Sequence, residues 1–204
     1  MTITELALLR LSGQETLTTM RPFLQRGKTV AEAWTRRPDT VRYFQQADDA
    51  RNIYILGQWA SLSEHMDGFI PSAGNQALMQ GAADRFTIET FLHFQAEMPP
   101  RDDHGAGVYI IRNFCKQGAR GAGFGPTMEK AAGLTGLWGH GAHPVAGWRV
   151  DVPADETMEE FVICGWTADG QPGVDDTDAL RQYRAAVQEW VDKVEACHAL
   201  EIVV

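Results

Sequence analysis

The stretch Tyr54-Ile55-Leu56-Gly57-Gln58-Trp59-Ala60-Ser61-Leu62-Ser63-Glu64-His65-Met66-Asp67-Gly68-Phe69 decides how this chain folds. Its first six residues form an apolar, β-rich run that closes on Trp59. Ser61 then opens a helix, and Glu64, three residues on, completes the N-cap and N3 pair of a capping box. The apolar stripe of that helix runs Leu62, His65/Met66, Phe69/Ile70, which puts an imidazole on the side that must be buried.

Working outward, Ile3 to Leu11 reads as a strand bounded by Ser12-Gly13. Gln14 to Trp34 has helical spacing, interrupted near Pro22 and Gly27. Thr40 to Gln46 is β-rich, Asp48-Asp49 makes a turn, and Asn52 to Trp59 returns antiparallel as a hairpin. Beyond the quoted stretch, Pro71-Ser72 breaks the helix and a second helical piece carries Leu78, Met79 and Ala82. Glu89 to Gln95 gives a fourth strand. The order is β-α-β-β-α-β, the ferredoxin-like split βαβ arrangement.

The chain then says much the same again. Ile163-Cys164-Gly165-Trp166 echoes Leu56-Gly57-Gln58-Trp59 at an offset of 107, Pro144-Val145 echoes Pro38 at 106, and Trp138 echoes Trp34 at 104. A single repeat near 100 residues means two similar domains rather than a solenoid. The sequence therefore divides into a first ferredoxin-like domain (1–97), a polar linker with Pro99-Pro100 and Asp102-Asp103 (98–107), and a second domain (108–204). In the second half we expect a strand Val108–Cys115, a mobile glycine-rich loop Gly118–Gly125, and a helix from Pro126 to about Leu137. Strands Val145–Val152 and Glu159–Trp166, a helix Thr177–Cys197 and a strand Leu200–Val204 follow. A half of this size buries roughly 60–65% of its unfolded surface and is marginal alone. The halves should therefore share an apolar interface.

With 204 residues, 44% hydrophobic and 22% charged, the composition is that of a well-buried globular protein. A net charge of −9 argues against nucleic acid and anionic membrane, whose binding relies on Lys and Arg. Three cysteines, Cys115, Cys164 and Cys197, form no CxxC and no disulfide framework, so reduced thiols and a cytoplasmic setting are expected. No run approaches 18 apolar residues, so no membrane span is expected.

The passage from Tyr54 to Phe69 resembles the third strand and second helix of the antibiotic-biosynthesis-monooxygenase-like domains of the dimeric α+β barrel superfamily. The resemblance covers both halves by topology and the first half by motif; the second keeps Gly165-Trp166 but follows it with the Asp/Gly-rich segment 169–178. It implies an α+β class in which two four-stranded sheets close into one barrel, here inside a single chain, with ligand pockets between sheet and helices. It also implies oxygenases, cyclases, haem-degrading enzymes, isomerases or proteins without catalysis, so function must be argued from the site.

Within that frame His65 is either a base near neutral pH or a core-edge imidazole bonded to a strand carbonyl. His93, on strand four, is placed to meet it across the cleft or to be satisfied inside the barrel. Tyr54, Trp59 and Phe69 are core aromatics or the walls of a pocket for a flat substrate. Asn75 is a helix cap or an orienting donor at the pocket mouth. In the second half Arg112, a charge in mid-strand, must find an anion or an ion-pair partner such as Glu160 or Asp151. Trp148 follows a loop with His140 and His143, whose HxxH spacing lacks further ligands, so no metal is assigned. The glycine-rich loop matches no phosphate-binding pattern.

These readings point to a cofactor-independent enzyme of specialised metabolism, an oxygenase of hydrophobic aromatic or polyketide substrates. His65 or His93 would deprotonate a phenol or enol whose anion meets dioxygen. A cyclase or isomerase would use the same parts. Two other classes stay open: a haem or hydrophobic-ligand binding protein with His65 or His93 as axial ligand, and a non-catalytic stress or assembly protein. The expected partner is a small hydrophobic molecule, with a homodimer of the fused chain as an added option.

Overall fold

The computed structural model describes residues 1–82, 84–98, 107–125, 128, 144–152, 157–167 and 178–204. Its first half runs β1 (Ile3–Leu11), α1 (Leu17–Thr35), β2 (Val41–Gln46), β3 (Asn52–Trp59), a π-helical turn (Glu64–Phe69), α2 (Ala73–Gln80) and β4 (Phe86–Phe94). The second half gives β5 (Gly107–Cys115), β6 (Val145–Trp148), β7 (Glu159–Thr167), α3 (Asp178–Val187) and β8 (Val191–Glu201). The split βαβ order of the first half is present as expected. The helix expected from Pro126, the linker prolines and the His140/His143 loop lie outside the described residues.

All eight strands belong to one antiparallel sheet, ordered β4-β1-β3-β2-β8-β5-β7-β6. Its two edges meet. Phe94 bridges Arg149, Gln95 N–H donates to the Trp148 carbonyl at 3.0 Å, and Val150 N–H donates to the His93 carbonyl at 2.8 Å. The sheet thus curls round an interior to which both halves contribute, among them Leu6, Phe44, Leu56, Leu92 and Phe94 with Val108, Ile110 and Val162. The other face carries two further apolar clusters, one under α1 and α2 and one under α3. Alternation along each strand decides which side a residue joins. Ile53 and Trp59 face the helices, whereas Leu56 faces the interior.

Several boundaries differ from the sequence reading, each for a visible reason. Pro22 and Gly27 do not interrupt α1, which runs unbroken behind a Thr16/Thr19 capping box. Gly27 is there for space, since a Cβ would come 2.7 Å from Tyr43 Oη. The expected helix Thr177–Cys197 stops at Val187, and the chain re-enters the sheet as β8, paired with β5 and β2. Pairing with β5 overrides the helix-forming composition of Val191 to Ala196, and β2 adds a second partner only at Ala199–Glu201. β4 starts earlier than expected, at Phe86, and β6 ends at Trp148 rather than Val152. In the loop Gly118–Gly125, Phe124 is fully buried against Trp148, Phe161 and Trp190 while most of the loop's other residues are exposed.

The edge closure is sterically tight. A Cβ on Gly147 would lie 2.0 Å from the Gln95 carbonyl oxygen, a backbone atom that cannot swing aside. Gly147→Ala should therefore cost about 2–3 kcal/mol, read as a lowered urea midpoint with a nearly unchanged slope.

Candidate functional site

The cap expected at Ser61 forms with a shift of one residue. Ser61 Oγ accepts from Glu64 N–H at 3.0 Å, but the Glu64 carboxylate accepts from Ala60 N–H and pairs with Arg37 Nη2 at 3.0 Å. The following turn is π-helical, with Ile70 N–H donating to the His65 carbonyl at 2.9 Å. Such turns re-aim side chains and recur at functional sites. Here His65 stacks on Trp59 with ring centres 4.0 Å apart and planes 9° apart.

From this stacked imidazole a chain of polar contacts runs through the closure into the second half. His65 Nδ1 lies 2.7 Å from His93 Nε2. His93 Nδ1 lies 2.8 Å from Asp151 Oδ2, which also accepts from the His93 backbone N–H at 3.1 Å. Asp151 Oδ1 accepts from Arg149 Nε at 2.9 Å, Arg149 reaches Glu160 at 3.4 Å, and Glu160 accepts from Arg112 Nε at 2.6 Å. On the other side of His65, Nε2 is 3.5 Å from Glu5 Oε2, which accepts from Trp59 Nε1 at 3.0 Å. Glu5, His65 and His93 are all buried.

These partners limit where the protons can sit. Burial alone would raise the Asp151 carboxyl, but hydrogen bonds from the His93 ring, the His93 backbone and Arg149 hold it below its usual range. As a carboxylate it accepts the His93 Nδ1 proton. In the tautomer where a neutral His93 accepts at Nε2 from His65 Nδ1–H, His65 Nε2 carries a lone pair. Burial, then the neighbouring His93, push His65 down to about 3, while burial raises Glu5 to about 7 against the opposing pull of Trp59 and His93. Below neutral pH the Glu5–His65 contact is thus acid beside base, not an ion pair.

The pair lines a cavity of about 440 Å³ between the sheet and α1, the π-helical turn and α2. Its walls are mostly apolar, including Phe23, Ile55, Phe69, Leu78, Met79 and Phe91, with Tyr43 and Asn75 as further polar groups. The structure brings together His65, His93, Trp59, Phe69 and Asn75. Ser72 is the cap of α2, and Asn75 donates Nδ2 to the Ile70 carbonyl at 2.9 Å.

Three sequence candidates lie elsewhere. Tyr54 packs against the barrel-interior cluster, its hydroxyl 3.4 Å from Gln46 Oε1, because alternation turns it away from Trp59. Arg112 is held by Glu160 and Glu195. Trp148 packs on Phe161 and Phe124 in the second half. Two residues the sequence reading did not place in the site stand at its centre, Glu5 and Asp151. A lone carboxylate in the apolar run Ile3–Leu11 is the signal that marks Glu5.

Haem fits this cavity poorly. Among the described lining residues there is no Lys or Arg to meet its carboxylates. His93 has both nitrogens bonded and His65 has one.

No family model matches the chain, and no curated protein sequence does. Solved structures do match. One, from Lactobacillus acidophilus NCFM and named only as a candidate monooxygenase, superposes with a TM-score of 0.62 at 10% identity, covering 98% of this chain and 93% of its own. An anthrone oxidase-like protein gives 0.61 at 13% identity, covering 99% and 92%. A chlorite dismutase from Candidatus Nitrospira defluvii gives 0.59 at 9% identity, covering 99% and 91%. The chain therefore shares an α+β barrel fold with these proteins over nearly its whole length. Among the described residues no helix is long and apolar enough to cross a membrane.

The Glu5–His65 pair has a pH signature. Raised from 4.5 to about 7, Glu5 contributes stability that is complete below pH 4.5 and lost as pH rises through 7. Lowered from 6.5 to about 3, His65 contributes stability that is complete above pH 6.5 and lost as pH falls toward 3. Between pH 4.5 and 6.5 the two cancel. Glu5→Gln should then lose stability as pH drops through that window, and His65→Gln should lose it as pH climbs. Each slope should sum to roughly 2–3 kcal/mol at 1.36 kcal/mol per unit, measured by urea unfolding at stepped pH.

Proposed function

We propose that this protein is a cofactor-independent enzyme that deprotonates a flat, hydrophobic aromatic substrate in the cavity of its first half, and that dioxygen then oxidises the resulting anion. The observation that carries this reading is the chain Asp151–His93–His65, which ends at an apolar cavity with Nε2 as the His65 nitrogen not bonded to His93. His65 Nε2 takes the proton, Trp59 holds the ring plane, and the new imidazolium shares its charge through His93 with the Asp151 carboxylate. The dry walls keep the anion from water. A methylene flanked by aryl rings would take up one molecule of dioxygen, become a carbonyl and release one molecule of water. The two methylene hydrogens leave in that water, one oxygen atom stays on carbon and the other departs with them. The substrate loses four electrons and dioxygen gains four, so no outside reductant is required. The candidate monooxygenase and anthrone oxidase-like neighbours favour oxygenation over cyclisation, which would use the same base.

The same reading treats the chain as two copies of one unit, 1–97 and 108–204, joined by 98–107. In its support, each half orders its own strands fourth-first-third-second, and the halves join reciprocally, β2 to β8 and β4 to β6. Residues of the second copy, Asp151 and Arg149, would then complete the site of the first.

With anthrone as substrate, the wild-type chain should consume dioxygen. His65→Ala should lower turnover by about 10²–10⁴-fold and Asp151→Asn by about 10²-fold, with folding checked by near-ultraviolet dichroism. Unchanged turnover in folded His65→Ala would remove the base, and absence of dioxygen uptake by the wild type would remove the oxygenase assignment.

A further inference from the structure

We infer that Glu5 is the acid partner of His65: its carboxyl protonates the carbonyl oxygen of an aryl ketone while His65 Nε2 takes the adjacent C–H proton, so the cavity enolises such ketones without dioxygen. This rests on the reading of His65 as base and adds a donor, a substrate class and an activity.

The geometry carries it. Glu5 sits on β1 opposite Gly57 of β3 and His93 of β4, in one row across the sheet beneath the cavity. Its Oε2 is 3.5 Å from His65 Nε2, close enough for one small group of a substrate to face both. Gly57 leaves the carboxyl its space, since a Cβ there would come 2.5 Å from Oε2 and 2.9 Å from Trp59 Nε1. Trp59 fixes the carboxyl from one side. The polar lining includes no Lys or Arg, so Glu5 faces an imidazole and an indole N–H rather than a cation. Tyr43, Asn75 and Gln76 also line the cavity, and Glu5 is the carboxyl within 3.5 Å of His65 Nε2. A carboxyl in that setting keeps its proton to about neutral pH, as an acid donor must.

The protons balance. The C–H bond breaks and its proton bonds to His65 Nε2; the electron pair moves through the ketone to oxygen, which takes the Glu5 proton. Enol, imidazolium and carboxylate remain. Each transfer favours the other, because the carboxylate forms beside the imidazolium. The proton then crosses from Nε2 to Oε2, restoring both groups, and nothing is oxidised or reduced. Oxygenation becomes a later event on the bound enol.

The test follows the methylene protons next to the carbonyl of 1-tetralone, an aryl ketone, by NMR in deuterated buffer without dioxygen, on the full chain, with tetralone binding read from tryptophan fluorescence. The wild type should exchange them well above the buffer rate. Glu5→Gln and His65→Gln should each cut exchange at least about 100-fold while binding changes only a few-fold. Gly57→Ala, which keeps the carboxyl but displaces it, should also lose most of the exchange; it decides the matter should Glu5→Gln not fold. Wild-type exchange in folded Glu5→Gln or in Gly57→Ala, with His65→Gln silent, overturns the role of Glu5 and leaves the base standing. Wild-type exchange in His65→Gln overturns the base itself. No exchange by wild type with 1-tetralone bound overturns the enolising activity, and failure of 1-tetralone to bind overturns the substrate class.

Discussion

The contact on which the rest depends is the meeting of the two sheet edges, β4 against β6. It is short, a single bridge with two flanking hydrogen bonds, and it requires a residue without a side chain at Gly147. Yet it does two jobs at once. It completes the enclosure of an interior shared by Phe94, Leu92, Val162 and Val108, each worth roughly 1.5–3 kcal/mol when fully buried. It also delivers Asp151 to His93, where one carboxylate oxygen accepts from both the backbone and the ring. Shape and chemistry are therefore coupled: a sheet whose edges parted would lose the anion that fixes the imidazole tautomers.

The state of the Glu5–His65 contact follows from magnitudes. At 3.5 Å two unit charges attract by about 5 kcal/mol at an effective dielectric near 20. Taking each ion from water costs several kcal/mol, so the neutral form is preferred at and below neutral pH. Folding in mildly acidic solution thus moves a proton from an imidazole to a carboxyl. The unfolded chain would carry opposite charges there; the folded chain carries none. A neutral acid beside a neutral base in an apolar cavity is the arrangement that acid–base chemistry on an uncharged substrate requires.

Much of the fold was legible in the sequence, because period-2 runs and turn residues act locally. The hairpin of β2 and β3, the split βαβ order and the inward face of His65 came from spacing alone. The pairing of His65 with His93 was also foreseeable, since both occupy the helix-facing side of their elements. What failed did so for tertiary reasons. Val191 to Ala196 has a helix-former's composition and is a strand because β5 offers it a partner along its length. Tyr54 was grouped with Trp59 by nearness in sequence, whereas an odd separation along a strand puts them on opposite faces. Arg112 is legible as a charge in mid-strand, and the same signal marks Glu5 in β1. Asp151 had no local signal, because its role exists only once the sheet closes.

The π-helical turn Glu64–Phe69 has a further meaning. Its hydrogen bonds span five residues rather than four, which amounts to one extra residue wound into the helix. Removing a residue from this turn would restore ordinary α winding and rotate the side chains before it by about 100° relative to those after it. His65 would leave the Trp59 face while the barrel, capped at Ser61 and anchored by Phe69, stayed whole. The winding of this one turn thus sets where the imidazole points. A regular helix here would leave Trp59 without its stacked imidazole and His93 without its ring partner.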